Sequence, residues 1–171
     1  EMAKSLAAEA VTLSKREINE PSVPQPGLIT EKERKQISKV EYGNYLDTYA
    51  FVLDKSGDPA AAARFQAEAI EINEGKEAEF NERYIGYLER SKSPELRYQM
   101  ERFIMEGHAT EKIKKQFKGI YAAEDKSEAG ITAYMNGLES IARMNLQKQL
   151  ASQMLEQQAP AFSLRNLQGE T

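Results

Sequence analysis

The amino-acid sequence predicts an all-α protein in which antiparallel helical hairpins stack as a short right-handed solenoid and end in a short extended or β-like tail. Three observations carry this prediction. Apolar residues recur at helical spacing over most of the 171 residues. Turn signals return about every 34 residues, a spacing typical of stacked helix-turn-helix units. Pro160 then ends the helical pattern, and alternating apolar and polar residues follow it.

The composition excludes several classes of function. The net charge is −4 and no basic stripe is visible, so we expect no nucleic-acid partner. The longest apolar runs are only a few residues, so no segment is expected to span a membrane. Cysteine is absent, which removes disulfides, zinc-thiolate clusters and thiol catalysis from these residues. The sequence therefore predicts no catalytic residue, no cofactor, no metal ligand and no enzymatic activity of the chain itself.

The chain has a single histidine, His108, on which any histidine-based site would have to rest. It lies between Gly107, expected just past one helix, and Thr110, expected to cap the next. We interpret His108 as a solvated histidine in a loop or at a helix end rather than as a functional group.

Residues 1–29 are predicted to form an N-terminal helix and a proline-rich connector. In the stretch EMAKSLAAEAVTLSKREI, apolar residues recur at roughly helical spacing, namely Leu6, Ala10, Leu13 and Ile18. The following NEPSVPQPGLI contains three prolines, which favour extended backbone. Because residue 1 is Glu and the first residues already have the pattern of a helix interior, we expect the chain to be a piece of a longer protein.

Residues 30–158 are predicted to form the helical domain. Its first helix should begin at a capping box, in which Thr30 accepts from the amide of Glu33 and the Glu33 carboxylate accepts from the amide of Thr30. The sequence SGDP should end that helix and begin the next. Gly57 suits the position after a helix, Asp58 suits an N-cap and Pro59 suits a first turn.

A similar pattern of turn and cap residues recurs twice more. KSPE offers Ser93 as N-cap and Pro94 as the first helical residue, and EDKSE offers Asp125 or Ser127 as N-cap. Breaks between hairpins are expected near Gly75 and Gly107. A last helix should then run from about residue 127 to about residue 158.

The stretch GNYLDTYAFVLDKSGDPAAAARFQAEAIEINE, residues 43–74, resembles one tetratricopeptide repeat (TPR). The large and small positions of its first helix are taken by Leu46, Tyr49, Ala50 and Leu53. Ala62 and Ala69 occupy the small positions of the second helix. The stretch departs from the pattern at Leu46, Gln66 and Glu74, where Trp, an aromatic residue and Pro are usual. The resemblance implies stacked helical hairpins that share a core.

Two further stretches resemble looser copies of this repeat. The first keeps aromatic spacing through Phe80, Tyr84, Tyr87 and Phe103. The second keeps large apolar residues at Ile113, Phe117 and Ile120, followed by the small residues Ala129 and Ala133. We interpret all these side chains as core residues rather than as ligand-binding groups.

The final stretch, APAFSLRNLQGET, resembles the beginning of the thioredoxin-like domains of the TlpA/ResA and peroxiredoxin (AhpC/TSA) families. Ala159 and Pro160 open the phrase, Phe162 and Leu164 flank Ser163 with the alternation of a strand, and a turn with Asn and Gly follows. We therefore expect residues 159–171 to be the truncated start of a thioredoxin-like domain.

Together the two resemblances imply the helical region that precedes the thioredoxin domain in a TlpA-like oxidoreductase of the bacterial envelope or periplasm. They imply a non-catalytic scaffold or docking region, whose partners are its own thioredoxin domain and possibly a protein substrate. The parent protein would exchange thiols and disulfides.

Two alternatives remain. The first is a TPR-type protein-protein interaction adaptor, although the first helix of the good repeat offers only Asn44 and Asp47 as polar binding residues. The second is a part of a peroxiredoxin. The helical region before the terminal motif argues against that interpretation, since such peroxidases usually begin near this motif.

Overall fold

The structure, a computed structural model, describes residues 1–22, 27, 29–123 and 127–153. Within these residues the chain is all-α and contains no strand. The helices are α1 (Met2–Glu17), α2 (Glu31–Lys55), α3 (Pro59–Asn73), α4 (Ala78–Arg90), α5 (Leu96–Glu106), α6 (Glu111–Ala122) and α7 (Glu128–Gln153). None of the described helices is long and apolar enough to cross a membrane.

Most of the helix starts follow the predicted capping residues. The capping box of α2 is complete, with the Thr30 amide donating to Glu33 Oε2 at 2.7 Å and the Glu33 amide donating to Thr30 Oγ1 at 3.2 Å. Asp58 caps α3 by accepting from the amide of Ala61 at 2.9 Å. Thr110 caps α6 in the same way. These contacts confirm that short polar side chains set where the helices begin.

The breaks between hairpins also lie where glycine predicts them. Gly75 has φ +71° and Gly107 has φ +77°, both in the left-handed region that ends a helix.

The Ser127 hydroxyl accepts from the amide of Gly130 at 3.2 Å, so Ser127 caps α7. Asp125, the alternative cap, lies outside the described residues.

The predicted start of α5 is wrong. The helix begins at Leu96, and Ser93 and Pro94 belong to an irregular turn before it. The Ser93 hydroxyl accepts from the amide of Glu95 at 3.3 Å, two residues on, which is a serine turn and not an N-cap. Lys92 enters this turn with φ +53°, so the chain bends before Pro94 can start a helix.

Helix α1 forms as predicted, but two of the apolar residues that predicted it do not face the core. Leu6 and Leu13 are exposed, whereas Val11 and Ser14 are buried against α2 and α3. Arg34, which is itself buried, donates to the carbonyl oxygens of Glu17 and Ile18 at 3.1 and 3.2 Å and joins the end of α1 to α2.

Helices α2 and α3 form a close antiparallel hairpin. Gly43 lies beside Ile72, where a Cβ would stand 3.3 Å from the Ile72 methyl carbon, and Asp47 is hydrogen-bonded to Gln66 further along. The predicted small and large core positions are confirmed by the complete or nearly complete burial of Leu46, Ala50, Leu53, Ala62 and Ala69.

The later helices continue the packing. Each helix contacts the next along the chain, and α4 also touches α6 while α5 packs on α7. The expected aromatic core is confirmed at Tyr84, Tyr87, Phe103 and Phe117, with Ile113 beside them. The arrangement of the hairpins as a right-handed solenoid stays a prediction.

The third hairpin departs from the repeat pattern. Ala129 and Ala133 were expected at small buried positions of α7, but both are exposed. The buried residues of α7 are Ile131, Met135 and Leu138. The core face is therefore rotated relative to the predicted one, because larger side chains two positions further on fill the same space.

Candidate functional site

A wide groove with a volume of about 770 Å³ runs across α2, α4 and α6. Its lining comes from all three helices and is mostly charged. The residues are Phe51, Asp54, Lys55, Glu79, Glu82, Arg83, Gly86, Tyr87, Glu89, Arg90, Lys112 and Gln116. A groove of this composition suits a polar, extended ligand better than a small apolar molecule.

The first link across the groove joins α2 to α4. Arg83 Nη1 donates to Asp47 Oδ2, and Arg83 Nη2 donates to Glu79 Oε2 at 3.0 Å. The other oxygen of Asp47 accepts from Gln66 Nε2 at 2.9 Å, and the same nitrogen reaches the carbonyl oxygen of Phe80 at 3.3 Å. The buried Asp47 carboxylate is thus satisfied by two helices at once.

The second link also joins α2 to α4, one heptad further on. Arg90 Nε donates to Asp54 Oδ1 at 2.8 Å. The guanidinium lies 5.3 Å from the centre of the Tyr87 ring, in a cation–π arrangement. Gly86 leaves space for it, since a Cβ there would stand 3.3 Å from Arg90 Nη1.

The third link joins α4 to α6. Glu82 accepts from the Thr110 hydroxyl at 2.7 Å through Oε1 and from Lys112 Nζ at 3.0 Å through Oε2. The Thr110 hydrogen bond and then the Lys112 charge lower the pKa of Glu82 below its usual range. Glu82 therefore stays ionised at neutral pH and holds the start of α6 against α4.

Tyr87 lines the groove, but its hydroxyl is buried. Tyr87 is almost wholly buried, and its hydroxyl has no hydrogen-bond partner among the described residues. Burial, and then the nearby carboxylates of Asp47 and Asp54, raise the pKa of Tyr87 to about 12. The hydroxyl is thus neutral at all physiological pH values and can act as a donor.

The polar residues that the sequence offered for peptide binding do not come together. Asp47 is tied into the first ion pair, whereas Asn44 lines a different, smaller cleft between α2, α3 and α4. His108 lies at the end of α5 as expected, but it is partly buried rather than solvated. Its ring packs on Gly75, where a Cβ would overlap it, and Nδ1 lies 3.5 Å from Glu106 Oε2.

Other classes of site find no support in the described part of the chain. No group of three or more His, Cys, Asp or Glu side chains there is placed to hold a metal ion. The terminal motif of residues 159–171 lies outside the described residues, as do residues 154–158 of the predicted last helix.

No protein-family model, no curated protein and no solved structure matches this chain. We therefore infer its function from the groove and from the sequence resemblances.

The sequence interpretation missed the groove residues, although a signal for them exists. Asp47 and Arg83 are separated by 36 positions, and so are Asp54 and Arg90. This separation is close to one repeat length, so opposite charges at that offset would meet on neighbouring hairpins. Searching for oppositely charged residues one repeat apart would have found both links.

Proposed function

We propose that this chain is a non-catalytic docking region whose groove across α2, α4 and α6 receives a protein partner. The groove is the observation that carries the proposal. It is open and polar, and its side chains are joined across helices by ion pairs. Side chains already held in place lose less conformational freedom when a partner binds, which favours recognition.

We further propose that the hairpins form a short right-handed TPR-like solenoid with the groove on its inner surface. The two links between α2 and α4 support this arrangement because they join positions one repeat apart. Helix α4 contacts α6, and α5 contacts α7. These contacts are expected when the first helices of neighbouring hairpins pack together and the second helices do the same.

The parent protein is proposed to be a TlpA-like thiol-disulfide oxidoreductase of the bacterial envelope or periplasm. The resemblance of residues 159–171 to the start of a thioredoxin-like domain supports this proposal, and so does the helical region before them. In that protein a cysteine thiolate of the thioredoxin domain would perform the exchange, and the helices would position that domain or its substrate.

A protein-protein interaction adaptor is the second candidate. It is favoured by the accessibility of the groove, which no described segment of the chain fills. The coding sequence beyond Thr171 separates the two candidates. A Cys-x-x-Cys motif within a thioredoxin-like domain is expected, whereas an unrelated domain or a stop codon would leave only the adaptor.

The docking role is tested by photo-cross-linking in the protein extended by its natural continuation. A photo-reactive residue at Gln116, in the groove, is expected to form an adduct with the thioredoxin domain or with a disulfide-bonded substrate protein. The same residue at Tyr98, exposed on α5, is the matched control and should form none. Equal adducts from both positions would contradict docking in the groove. Reduction of insulin by the chain alone would contradict the non-catalytic assignment.

A further inference from the structure

In each of the three ion pairs across the groove, the carboxylate is more buried than the cation. The relative side-chain exposures are 10% for Asp47 against 37% for Arg83, 11% for Asp54 against 51% for Arg90, and 27% for Glu82 against 72% for Lys112. Each carboxylate is thus more buried than the cation that pairs with it, and the cations are the more accessible partners.

The lining carries four cations and four carboxylates, but its exposed side chains include more cations than carboxylates. Lys55 is a further exposed cation in the lining, and its ammonium lies 5.2 Å from the centre of the Phe51 ring. Two exposed carboxylates oppose these cations. One is Glu79, which is bonded to Arg83, and the other is Glu89. Three exposed cations thus face a ligand against two exposed carboxylates, whereas Arg83, Asp54 and Glu82 are partly buried.

Arg90 keeps donors for a ligand. Its bond to Asp54 uses Nε, so the two terminal nitrogens, which lie over Gly86, are not used by that bond. A guanidinium presents its terminal N–H groups as a planar fork, which matches the two oxygens of a carboxylate. The glycine at position 86 gives the guanidinium the room to lie there, since a Cβ would stand 3.3 Å from Nη1.

We propose that the groove binds an extended acidic peptide segment, whose carboxylates contact Arg90, Lys55 and Lys112. This inference depends on the proposed docking function and specifies the chemistry of the partner. A peptide is favoured over a nucleic acid because the chain has a net charge of −4 and a pI near 5.3, which would repel a long polyanion.

The test measures binding of short labelled peptides to the full chain by fluorescence anisotropy. A peptide of alternating Glu and Ser is expected to bind more tightly than matched peptides of Gln and Ser or of Lys and Ser, and added salt should weaken that binding. A single-stranded oligonucleotide of equal negative charge is the fourth probe and should bind less tightly than the acidic peptide.

Three variants locate the interaction. Arg90→Gln should weaken binding of the acidic peptide about tenfold, because it removes a charge-assisted hydrogen bond. Lys55→Gln should weaken it as well, and it leaves no buried carboxylate unpaired, so its result does not depend on a change in folding. Glu89→Gln should tighten binding about two- to threefold by removing a repelling charge. The matched control is Lys118→Gln, an exposed lysine of α6 outside the groove lining, which should change nothing.

The outcomes separate the two proposals. Tighter binding of the basic or neutral peptide would overturn the acidic ligand and leave docking standing. Tighter binding of the oligonucleotide, or equal losses with Lys118→Gln and Lys55→Gln, would also overturn it. If no peptide binds and the Gln116 cross-linker forms no adduct, both proposals are wrong.

Discussion

The hairpin of α2 and α3 and the hairpin of α6 and α7, which the sequence predicts as copies of one repeat, bury their residues differently. In the first hairpin, small residues such as Ala62 and Ala69 are fully buried, and the helices approach closely. In the second, Ala129 and Ala133 of α7 are exposed, and the core contacts come from larger residues such as Ile131 and Met135.

The difference extends along α7. Beyond Leu138, this helix exposes four large apolar side chains at Ile141, Met144, Leu146 and Leu150. The first hairpin is therefore stabilised by close packing on several sides, whereas the second half of α7 contributes little burial. A repeat pattern therefore specifies a fold only where the small residues, and the large residues that pack on them, keep their spacing.

The largest expected effect comes from truncating the same residue type in both regions. Leu46→Ala, in the fully buried core of the first hairpin, should lower the free energy of unfolding by about 2–5 kcal/mol, because it leaves a cavity. Leu150→Ala, on the exposed part of α7, should change it by about 0.5 kcal/mol or less. Urea unfolding measures the free energy of unfolding of both variants. Equal losses would contradict the difference in packing between the two regions.

A second pair of variants compares Gly57, in the turn between α2 and α3, with Gly75, between the first two hairpins. Gly57→Ala should cost about 1–2 kcal/mol, because φ there is +86° while the space around it is open. Gly75→Ala adds an overlap with the His108 ring and should cost about 1–3 kcal/mol more. Thermal melts of the two variants make the measurement. A smaller loss at Gly75 would show that His108 moves aside freely.

Replacing a small residue with a large one should destabilise the first hairpin more than the last one. Ala62→Leu should overpack the contact of α3 with its neighbours and cost about 1–3 kcal/mol. Ala133→Leu, the same change at an exposed position of α7, should be near neutral. Equal melting temperatures would refute both the close contact at Ala62 and the repeat assignment there.

The smallest expected effect concerns pH and the link between α4 and α6. Because the pKa of Glu82 is lowered in the folded state, its contribution is present at neutral pH and is lost as pH falls through that lowered pKa. Glu82→Gln should therefore reduce stability at pH 7, and the difference from the unmodified protein should shrink below about pH 4. Melts from pH 7 to pH 3 test this, with the exposed Glu9→Gln as control.

Much of the local structure could be predicted from the sequence because it depends on neighbouring residues. The Thr30 capping box, the Asp58 cap and the left-handed glycines each need only a few adjacent positions. Predictions failed where a competing local turn or a contact from elsewhere decides. The serine turn at Ser93 delays α5, and the packing of Val11 on α2 and α3 leaves Leu6 exposed.

The groove could not be found from local patterns, since each of its links joins residues on different hairpins. Asp54 and Arg90 are ordinary surface charges when taken singly, and only the stacking of α2 beside α4 makes them a pair. The buried Tyr87 was correctly assigned to the core. Its unpaired hydroxyl, however, is a property of the packed structure and of no sequence pattern.

We expect the N-terminal helix to open as a separate unit. Helix α1 buries few residues, and much of its attachment at one end consists of the two bonds from Arg34 to the carbonyl oxygens of Glu17 and Ile18. Amide hydrogen exchange should therefore occur in α1 through a local opening that leaves α2 and α3 folded. The amides of α3 should exchange only when the whole core unfolds, so the two helices should differ in protection by orders of magnitude.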